Sequence, residues 1–84
     1  MSTGAAAPRL VVYSTPACTP CEALKRILAT EGLPFEVKDL LVDEEAAALL
    51  ERHGIRSAPA LGIDGKIYAG EDLKPDRLVA LLDF

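Results

Sequence analysis

Hydrophobic residues follow two different periods along the chain, and each period predicts one kind of element. The run RLVVYS (9–14) is apolar and rich in β-branched residues, as is typical of a buried strand. PFEVKDLL (34–41) alternates between apolar and polar positions and predicts a second strand. Two further apolar runs, APALGI and KIYAG, flank Asp64-Gly65, a dipeptide that strongly favours a two-residue hairpin turn. The pattern therefore predicts four strands, of which the last two form a hairpin.

Three other segments show the spacing of an amphipathic helix. The first begins within CEALKRILATEG (21–32) and ends at its glycine and the proline that follows. The second has clear end signals: Asp43 can cap it, two glutamates occupy its first turn, and Gly54 lies just past its last turn. The third is PDRLVALLDF (75–84), with a proline at its start. The residues predicted to face the core are Leu24, Ile27 and Leu28, then Ala46, Ala47 and Leu50, then Leu78, Leu81 and Leu82.

These elements follow one another in the order β-α-β-α-β-β-α. The β-α-β start requires a parallel strand pair, whereas the closing hairpin is antiparallel. The chain is therefore predicted to be an α/β protein with a mixed four-stranded sheet and helices on its faces. With 84 residues, half of them hydrophobic, there is room for one domain with one core. We assign that domain to residues 9–84 and expect residues 1–8 to form a flexible tail.

Composition and charge argue against several classes of function. The formal net charge of −4 disfavours nucleic acid, which is bound by basic surfaces. No apolar run approaches the roughly eighteen residues of a membrane span, so no membrane partner is expected. The segment MSTGAAAPRL lacks the basic and apolar regions of a secretory signal, and we expect a cytoplasmic protein. In that reducing compartment, a Cys-x-x-Cys pair is more often catalytic or metal-binding than structural.

Such a pair, Cys18 and Cys21, stands at the junction of the first strand and the first helix. A disulfide between them would close too short a loop to stabilise the fold appreciably. Cys18 lies where unpaired backbone N–H groups and the helix dipole lower the pKa of a thiol, so it is the predicted nucleophile. Cys21, one turn further on, shares the buried helix face and is the predicted resolving thiol. Thr19 and Pro20, which lie between the two cysteines, are the predicted supporting residues of the site. Pro20 suits its position because the first turn of a helix tolerates proline.

A metal site is the alternative use of the cysteine pair. A structural zinc site needs more ligands than the two cysteines and one histidine, His53, that the sequence offers. His53 itself is expected to be a solvated cation at a helix end. We therefore predict no metal site within the chain. An iron–sulfur cluster bridged between two copies stays open as an alternative.

Three segments stand out along the chain: VVYSTPACTPC (11–21), SAPA (57–60) and YAGEDL (68–73). They resemble landmarks of the glutaredoxin family, and the resemblance covers nearly all of residues 9–84 in matching order. It implies the thioredoxin fold and a thiol–disulfide oxidoreductase that carries electrons through the cysteine pair. It also implies a cis peptide bond between Ala58 and Pro59, with Pro59 shaping the active-site groove and Ala58 pairing with substrate through its backbone.

The same resemblance leaves two electron donors open. Glutathione-using members have a lysine where this chain has Thr15, Thr-Val-Pro where it has Ser57-Ala58-Pro59, and a double glycine where it has Ala69-Gly70. Members of the NrdH-redoxin subgroup take electrons from thioredoxin reductase and supply ribonucleotide reductase, and SAPA and KPDRL (74–78) are similar to that subgroup. The chain is thus expected to reduce protein disulfides or mixed disulfides with glutathione, and to be recycled by glutathione or by thioredoxin reductase.

The resemblance also implies which residues contact glutathione or another substrate. Tyr13 either forms a wall of the active site or packs in the core, and Asp72 is placed to receive a γ-glutamyl amino group. No tightly bound cofactor is expected, glutathione is the expected co-substrate, and the protein is expected to be a monomer. An iron–sulfur cluster protein and a redox-silent binding module of the same fold are the remaining alternatives. The implied contact residues are Tyr13, Thr15, Ser57, Ala58, Gly70, Glu71 and Asp72.

Overall fold

The structure, a computed structural model, describes residues 9–82, so the predicted N-terminal tail (1–8) lies outside the described residues. It contains every strand and α-helix that the hydrophobic pattern predicts, and one 3₁₀-helix that the pattern does not predict. None of the helices between residues 9 and 82 is long and apolar enough to cross a membrane. In chain order the elements are β1 (Leu10–Ser14), α1 (Thr19–Thr30), β2 (Glu36–Asp39), α2 (Glu44–Arg52), β3 (Ala60–Ile63), β4 (Lys66–Ala69), the 3₁₀-helix (Gly70–Leu73) and α3 (Pro75–Leu82).

The four strands form one mixed sheet in the order β2-β1-β3-β4. β1 runs parallel to β2 and antiparallel to β3, and β3 pairs with β4 in an antiparallel hairpin. Asp64 and Gly65 turn this hairpin with φ angles of 49° and 91°, the positive values that match the twist of the flanking strands. The predicted mixed four-stranded α/β fold is confirmed.

Hydrophobic side chains are buried on both faces of the sheet, because successive residues of β1 point to opposite sides. The larger cluster joins one face of β1 and β3 to α1 and α3, and the smaller cluster joins the other face to α2. The helix faces are close to those predicted, except that Ala47 and Leu81 are only half-buried. Of the other predicted core residues, Leu24, Leu28, Ala46, Leu50 and Leu78 are buried, while Ile27 and Leu82 pack at the edge of the larger cluster.

The second strand is shorter than the predicted segment 34–41, because Asp39 ends it. The Asp39 carboxylate accepts the Leu41 N–H at 2.9 Å, and the Asp39 carbonyl accepts the Asp43 N–H at 2.9 Å. These bonds turn the chain out of the sheet and directly into α2. Asp43 then caps α2 as predicted, since its carboxylate accepts the Ala46 N–H at 2.9 Å.

Removing the Asp43 cap should destabilise the fold. We expect Asp43→Ala to lower the free energy of unfolding by about 1 kcal/mol, because the Ala46 N–H loses its acceptor. Asp43→Asn is the matched control: it keeps an acceptor oxygen but loses the charge that faces Lys38 at 3.8 Å. Urea unfolding of the three proteins separates the two effects. An equal loss in both variants would show that the charge, and not the cap, stabilises this helix end.

Candidate active site

The cysteine pair lies at the start of α1, immediately after the loop that follows β1. Cys18 is the N-cap residue, and its Sγ accepts the backbone N–H of Cys21 at 3.2 Å. The Cys18 carbonyl accepts the Glu22 N–H at 3.1 Å, which is the first bond of the helix. Thr19 and Pro20 occupy the first helical positions, where the N–H that proline lacks has no partner to lose. The start of the helix therefore directs one backbone N–H group, that of Cys21, at the Cys18 sulfur.

The two sulfurs differ in their exposure to solvent. Cys21 has no solvent-accessible surface (0%) and lies on the buried face of α1 with Leu24 and Leu28. Cys18 is half-buried and reaches the surface at the helix end. The two residues are joined by a disulfide bond, with their Cα atoms 5.2 Å apart. The structure thus places one outer and one inner sulfur within bonding distance, as the spacing predicts.

Ala17 is a site residue that the sequence did not reveal. Its φ is 56°, in the left-handed region that non-glycine residues rarely occupy. This conformation turns the chain from the loop into the N-cap, and it costs on the order of 1 kcal/mol for a residue with a Cβ. Alanine has no special turn propensity, so no pattern marks this position as part of the site.

The segment Ser57–Pro59 shares a cleft with Pro20, the residue between the two cysteines. The Ala58–Pro59 peptide bond is cis, as the resemblance implied. On one side of this segment a cleft of about 290 Å³ opens between it and α1, where Pro20 and Ile27 line the wall. The far wall of this first cleft is formed by Gly70, Leu73 and Lys74, from the 3₁₀-helix and the residue after it. The first cleft is therefore mostly apolar, with one lysine at its edge.

A second cleft, of about 600 Å³, lies on the other side of the same segment. Thr15 and Leu40 form one wall, Ser57 and Ala58 the other, and α2 closes the end. Arg56 also lines this cleft. Because Ser57 and Ala58 line both clefts, they form a ridge between the two.

Most of the predicted substrate-contact residues come together around this ridge. Thr15, Ser57, Ala58 and Gly70 line the clefts, whereas Glu71 and Asp72 are exposed on the 3₁₀-helix and line neither. Glu71 instead pairs with Lys74 at 3.1 Å.

Tyr13, another predicted contact residue, is a core residue in the structure. It is only 5% exposed, packs in the smaller core cluster with Ala46, Leu50 and Ala60, and lines neither cleft. Its ring lies over Gly62, where a Cβ would be 3.4 Å from the ring edge. Of the two roles considered for Tyr13, the structure favours packing.

The metal-site alternative depended on His53. His53 is the C-cap residue of α2 and is exposed, as expected for a solvated helix end. Among residues 9–82, no three side chains of the types that ligate metals come together.

An exposed and a buried cysteine that can form a disulfide at the start of α1 are suited to thiol–disulfide exchange. Together with the mixed sheet and the cis-proline, they define a thiol–disulfide oxidoreductase with the thioredoxin fold. The family model for glutaredoxin matches residues 10–68. The chain belongs to the glutaredoxin family.

The chain is similar to proteins of several kinds. The chain is 33% identical to N-acetyl-S-hydroxy-L-cysteine reductase of Bacillus subtilis (strain 168) over 63 residues, which are 73% of this chain and 68% of that protein. The glutaredoxin-like protein NrdH-redoxin of Escherichia coli superposes with a TM-score of 0.76 at 29% identity, covering 87% of this chain and 93% of that chain. A buckwheat glutaredoxin–glutathione complex superposes with a TM-score of 0.69 at 28% identity, covering 90% of this chain and 77% of that chain.

Proposed function

We propose that this protein reduces disulfide bonds of protein substrates through Cys18 and Cys21, and that a thioredoxin reductase restores its dithiol. The observation that carries the proposal is the first cleft. It is apolar, about 290 Å³ in volume, and lies directly beside Pro20 and the Ser57–Pro59 segment. Such a surface accommodates the side chains of a polypeptide better than the charged groups of glutathione.

In the first step, the Cys18 thiolate attacks one sulfur of the substrate disulfide. A Cys18–substrate disulfide forms, the substrate S–S bond breaks, and the departing substrate thiolate takes a proton from water. The helix N-terminus favours the anionic form of Cys18, because the helix dipole is positive there and the Cys21 N–H donates to this sulfur. Substrate reaches Cys18 first because Cys21 has no exposed surface.

In the second step, Cys21 loses its proton and attacks Cys18 Sγ. The Cys18–Cys21 disulfide forms, and the second substrate sulfur leaves as a thiolate, so two electrons have passed to the substrate. The dithiol of a flavoprotein reductase then reduces the 18–21 disulfide by the same exchange in reverse. Reducing flavoproteins of this kind work in the cytoplasm, which is the location that we propose.

Two features favour thioredoxin reductase over glutathione as the electron donor. Thr15 supplies no charge where glutathione-using members have a lysine, and the acidic residues Glu71 and Asp72 lie outside both clefts. The similarity to NrdH-redoxin spans a larger share of that protein than the similarity to the buckwheat glutaredoxin does. Ribonucleotide reductase, which the NrdH-redoxin subgroup supplies, is therefore the first protein substrate to test.

A second candidate function is the reduction of small sulfenic acids, which the identity to the B. subtilis reductase supports. Cys18 would attack the sulfenic sulfur and release water, and Cys21 would resolve the resulting mixed disulfide. The dithiol and its recycling are the same as in the first proposal. Only the electron acceptor differs.

The proposal is tested by offering the oxidised protein two reducing systems in the presence of NADPH. One contains thioredoxin reductase alone, and the other contains glutathione with glutathione reductase. We expect NADPH consumption with thioredoxin reductase to be at least about tenfold faster, because Thr15 supplies no cation and Glu71 and Asp72 lie outside both clefts. A third assay offers the reduced protein a small sulfenic acid generated in situ and tests the second candidate.

The Arg56→Gln variant tests whether glutathione binds in the second cleft, because Arg56 is a cation that lines this cleft. If glutathione binds through Arg56, this variant slows the glutathione system and leaves the thioredoxin reductase system unchanged. Fast turnover with glutathione in the wild-type protein would contradict the proposed donor. Failure of both systems would contradict the electron-carrier function itself.

A further inference from the structure

Two apolar side chains project into solvent at the turn between β2 and α2. Leu41 is 71% exposed and Val42 is 78% exposed, the highest values for large hydrophobic residues between positions 9 and 82. We refer to these two residues as the apolar tip. Isolated exposed hydrophobic residues are common, but two adjacent ones at the end of a turn form a contact surface that water solvates poorly.

The apolar tip is held in place by the backbone around it. The Leu41 N–H donates to the Asp39 carboxylate at 2.9 Å, and the Val42 N–H donates to the Asp39 carbonyl at 3.2 Å. Asp43, the next residue, caps α2. None of these bonds uses the Leu41 or Val42 side chain, so the fold does not require apolar residues at these positions.

The tip lies at the same end of the sheet as the cysteine pair. The Leu40 N–H donates to the Ser14 carbonyl at 2.9 Å, and Ser14 is the last residue of β1 before the loop to Cys18. Leu40 also lines the second cleft together with Thr15 and Ala58. Because β1 and β2 are parallel, the loop to Cys18 and the turn that carries the tip leave the sheet at the same end. A polypeptide that lies along the second cleft contacts Leu40, the residue before the tip.

Carboxylates surround the tip. Asp39 and Asp43 flank it, and the exposed Glu44 and Glu45 follow in the first turn of α2. Lys38 offsets part of this charge through its contact with Asp43 at 3.8 Å. The tip is therefore an apolar contact within an acidic rim, and its complement is an apolar residue accompanied by lysine or arginine.

We propose that the apolar tip and its acidic rim select protein substrates that carry an apolar residue and basic residues near their disulfide. This inference rests on the proposed reduction of protein disulfides and adds a substrate class to it. A second copy of this chain does not fit the surface, since a two-fold contact would place the two acidic rims against each other. Leu41 and Val42 act in substrate selection and do not take part in the exchange at Cys18.

The test uses three synthetic peptides whose single cysteine is in mixed disulfide with thionitrobenzoate, with flanks long enough to reach the tip. One peptide has a leucine and lysines in its flank, the second a leucine and glutamates, and the third a serine and lysines. Release of thionitrobenzoate by the reduced protein reports the second-order rate constant. We expect the leucine–lysine peptide to react about tenfold faster than either of the others at low salt. Its advantage over the leucine–glutamate peptide should disappear at high salt, which screens charges, whereas its advantage over the serine–lysine peptide should remain.

The double variant Leu41→Ser/Val42→Ser should react with the leucine–lysine and serine–lysine peptides at nearly the same rate. It should still prefer lysine to glutamate in the flank, because its acidic rim is unchanged. Val79→Ser is the matched control, because Val79 is 46% exposed on α3 and lines neither cleft. It should keep the full preference. A double variant that keeps the preference for leucine over serine would overturn the proposal, as would a wild-type protein that shows no preference among the peptides.

A small disulfide without flanks, 5,5′-dithiobis(2-nitrobenzoate), separates this inference from the proposed function. We expect the wild-type protein and the double variant to reduce it at equal rates, because it does not reach the tip. If the wild-type protein reduces it but does not discriminate among the peptides, the substrate selection fails while the reductase function stands. If the wild-type protein reduces neither probe, the proposed function fails.

Discussion

The Cys18→Ser variant should lose reduction of protein disulfides by at least about a thousandfold, because a serine hydroxyl does not replace the attacking thiolate. The Cys21→Ser variant should still attack, but it should stop at the mixed disulfide. Insulin reduction in the presence of dithiothreitol measures the first effect. Intact mass measurement after incubation with a disulfide substrate measures the second, since the trapped substrate remains bound to Cys18.

The different outcomes follow from the different positions of the two sulfurs. Cys18 reaches solvent at the N-cap of α1, whereas Cys21 has no exposed surface and packs beside Leu24. If Cys18 is replaced, the remaining thiol lies beneath the helix surface and substrate does not reach it. The roles are therefore not interchangeable, although the two residues are only three positions apart.

Thr19→Ser serves as the control for the pair of variants. Thr19 is exposed at the first helical position, so this change keeps a hydroxyl and alters no described contact with either sulfur. It should retain activity close to that of the wild-type protein. Wild-type rates in Cys18→Ser would refute the assignment of the nucleophile. A trapped mixed disulfide in Cys18→Ser would show that substrate does reach Cys21.

The same preparations test the redox-silent alternative. A thiol at a helix N-terminus should titrate with a pKa below the value of about 8.5 for free cysteine. Alkylation of the reduced Cys21→Ser protein as a function of pH reports the pKa of Cys18 alone. A pKa near the free value, together with no exchange with substrate, would indicate a binding module in place of a reductase.

The sequence was sufficient to predict the elements whose signals are local. Asp43 and the glutamates after it mark the start of α2, and Asp64-Gly65 marks the hairpin turn. The exposure difference between the cysteines also follows from local spacing, since Cys21 shares a helix face with Leu24 and Leu28. The cis bond before Pro59 came only from the family resemblance, because most X–Pro bonds are trans.

The features that the sequence did not predict depend on contacts between distant residues. The first cleft brings together Pro20, Ser57 and Gly70, which belong to three separate segments of the chain. The 3₁₀-helix at Gly70–Leu73 is one turn long, too short for a periodic pattern to indicate. The position of Glu71 and Asp72 outside the clefts depends on how the 3₁₀-helix packs relative to α1. Spacing along the chain does not contain that information.

The core beneath α1 also determines how firmly Cys21 is held. Cys21, Leu24 and Leu28 lie on one helix face, and the two leucines pack against β1, β3 and α3 in the larger cluster. The inner sulfur therefore sits at the end of the main hydrophobic core, and loss of packing there acts on stability and on the site together.

Leu28→Ala should lower the free energy of unfolding by about 2–5 kcal/mol, because it removes a fully buried side chain and leaves a cavity. A domain of this size has a total stability of about 5–15 kcal/mol, so the loss would be a large part of it. Leu28→Val, which removes less volume, should cost about 0.5–1.5 kcal/mol and remains measurable if the alanine variant is mostly unfolded. Urea unfolding of the oxidised proteins gives these values.

Val79→Ala provides the matched control for this prediction, since Val79 is 46% exposed on α3. It should change stability by no more than about 0.5 kcal/mol, because little apolar surface returns to water. Whatever the absolute values are, the loss of stability should be smallest for Val79→Ala, larger for Leu28→Val and largest for Leu28→Ala. If Leu28→Ala cost no more than Val79→Ala, the larger cluster would not be the core that fixes α1 and the inner cysteine.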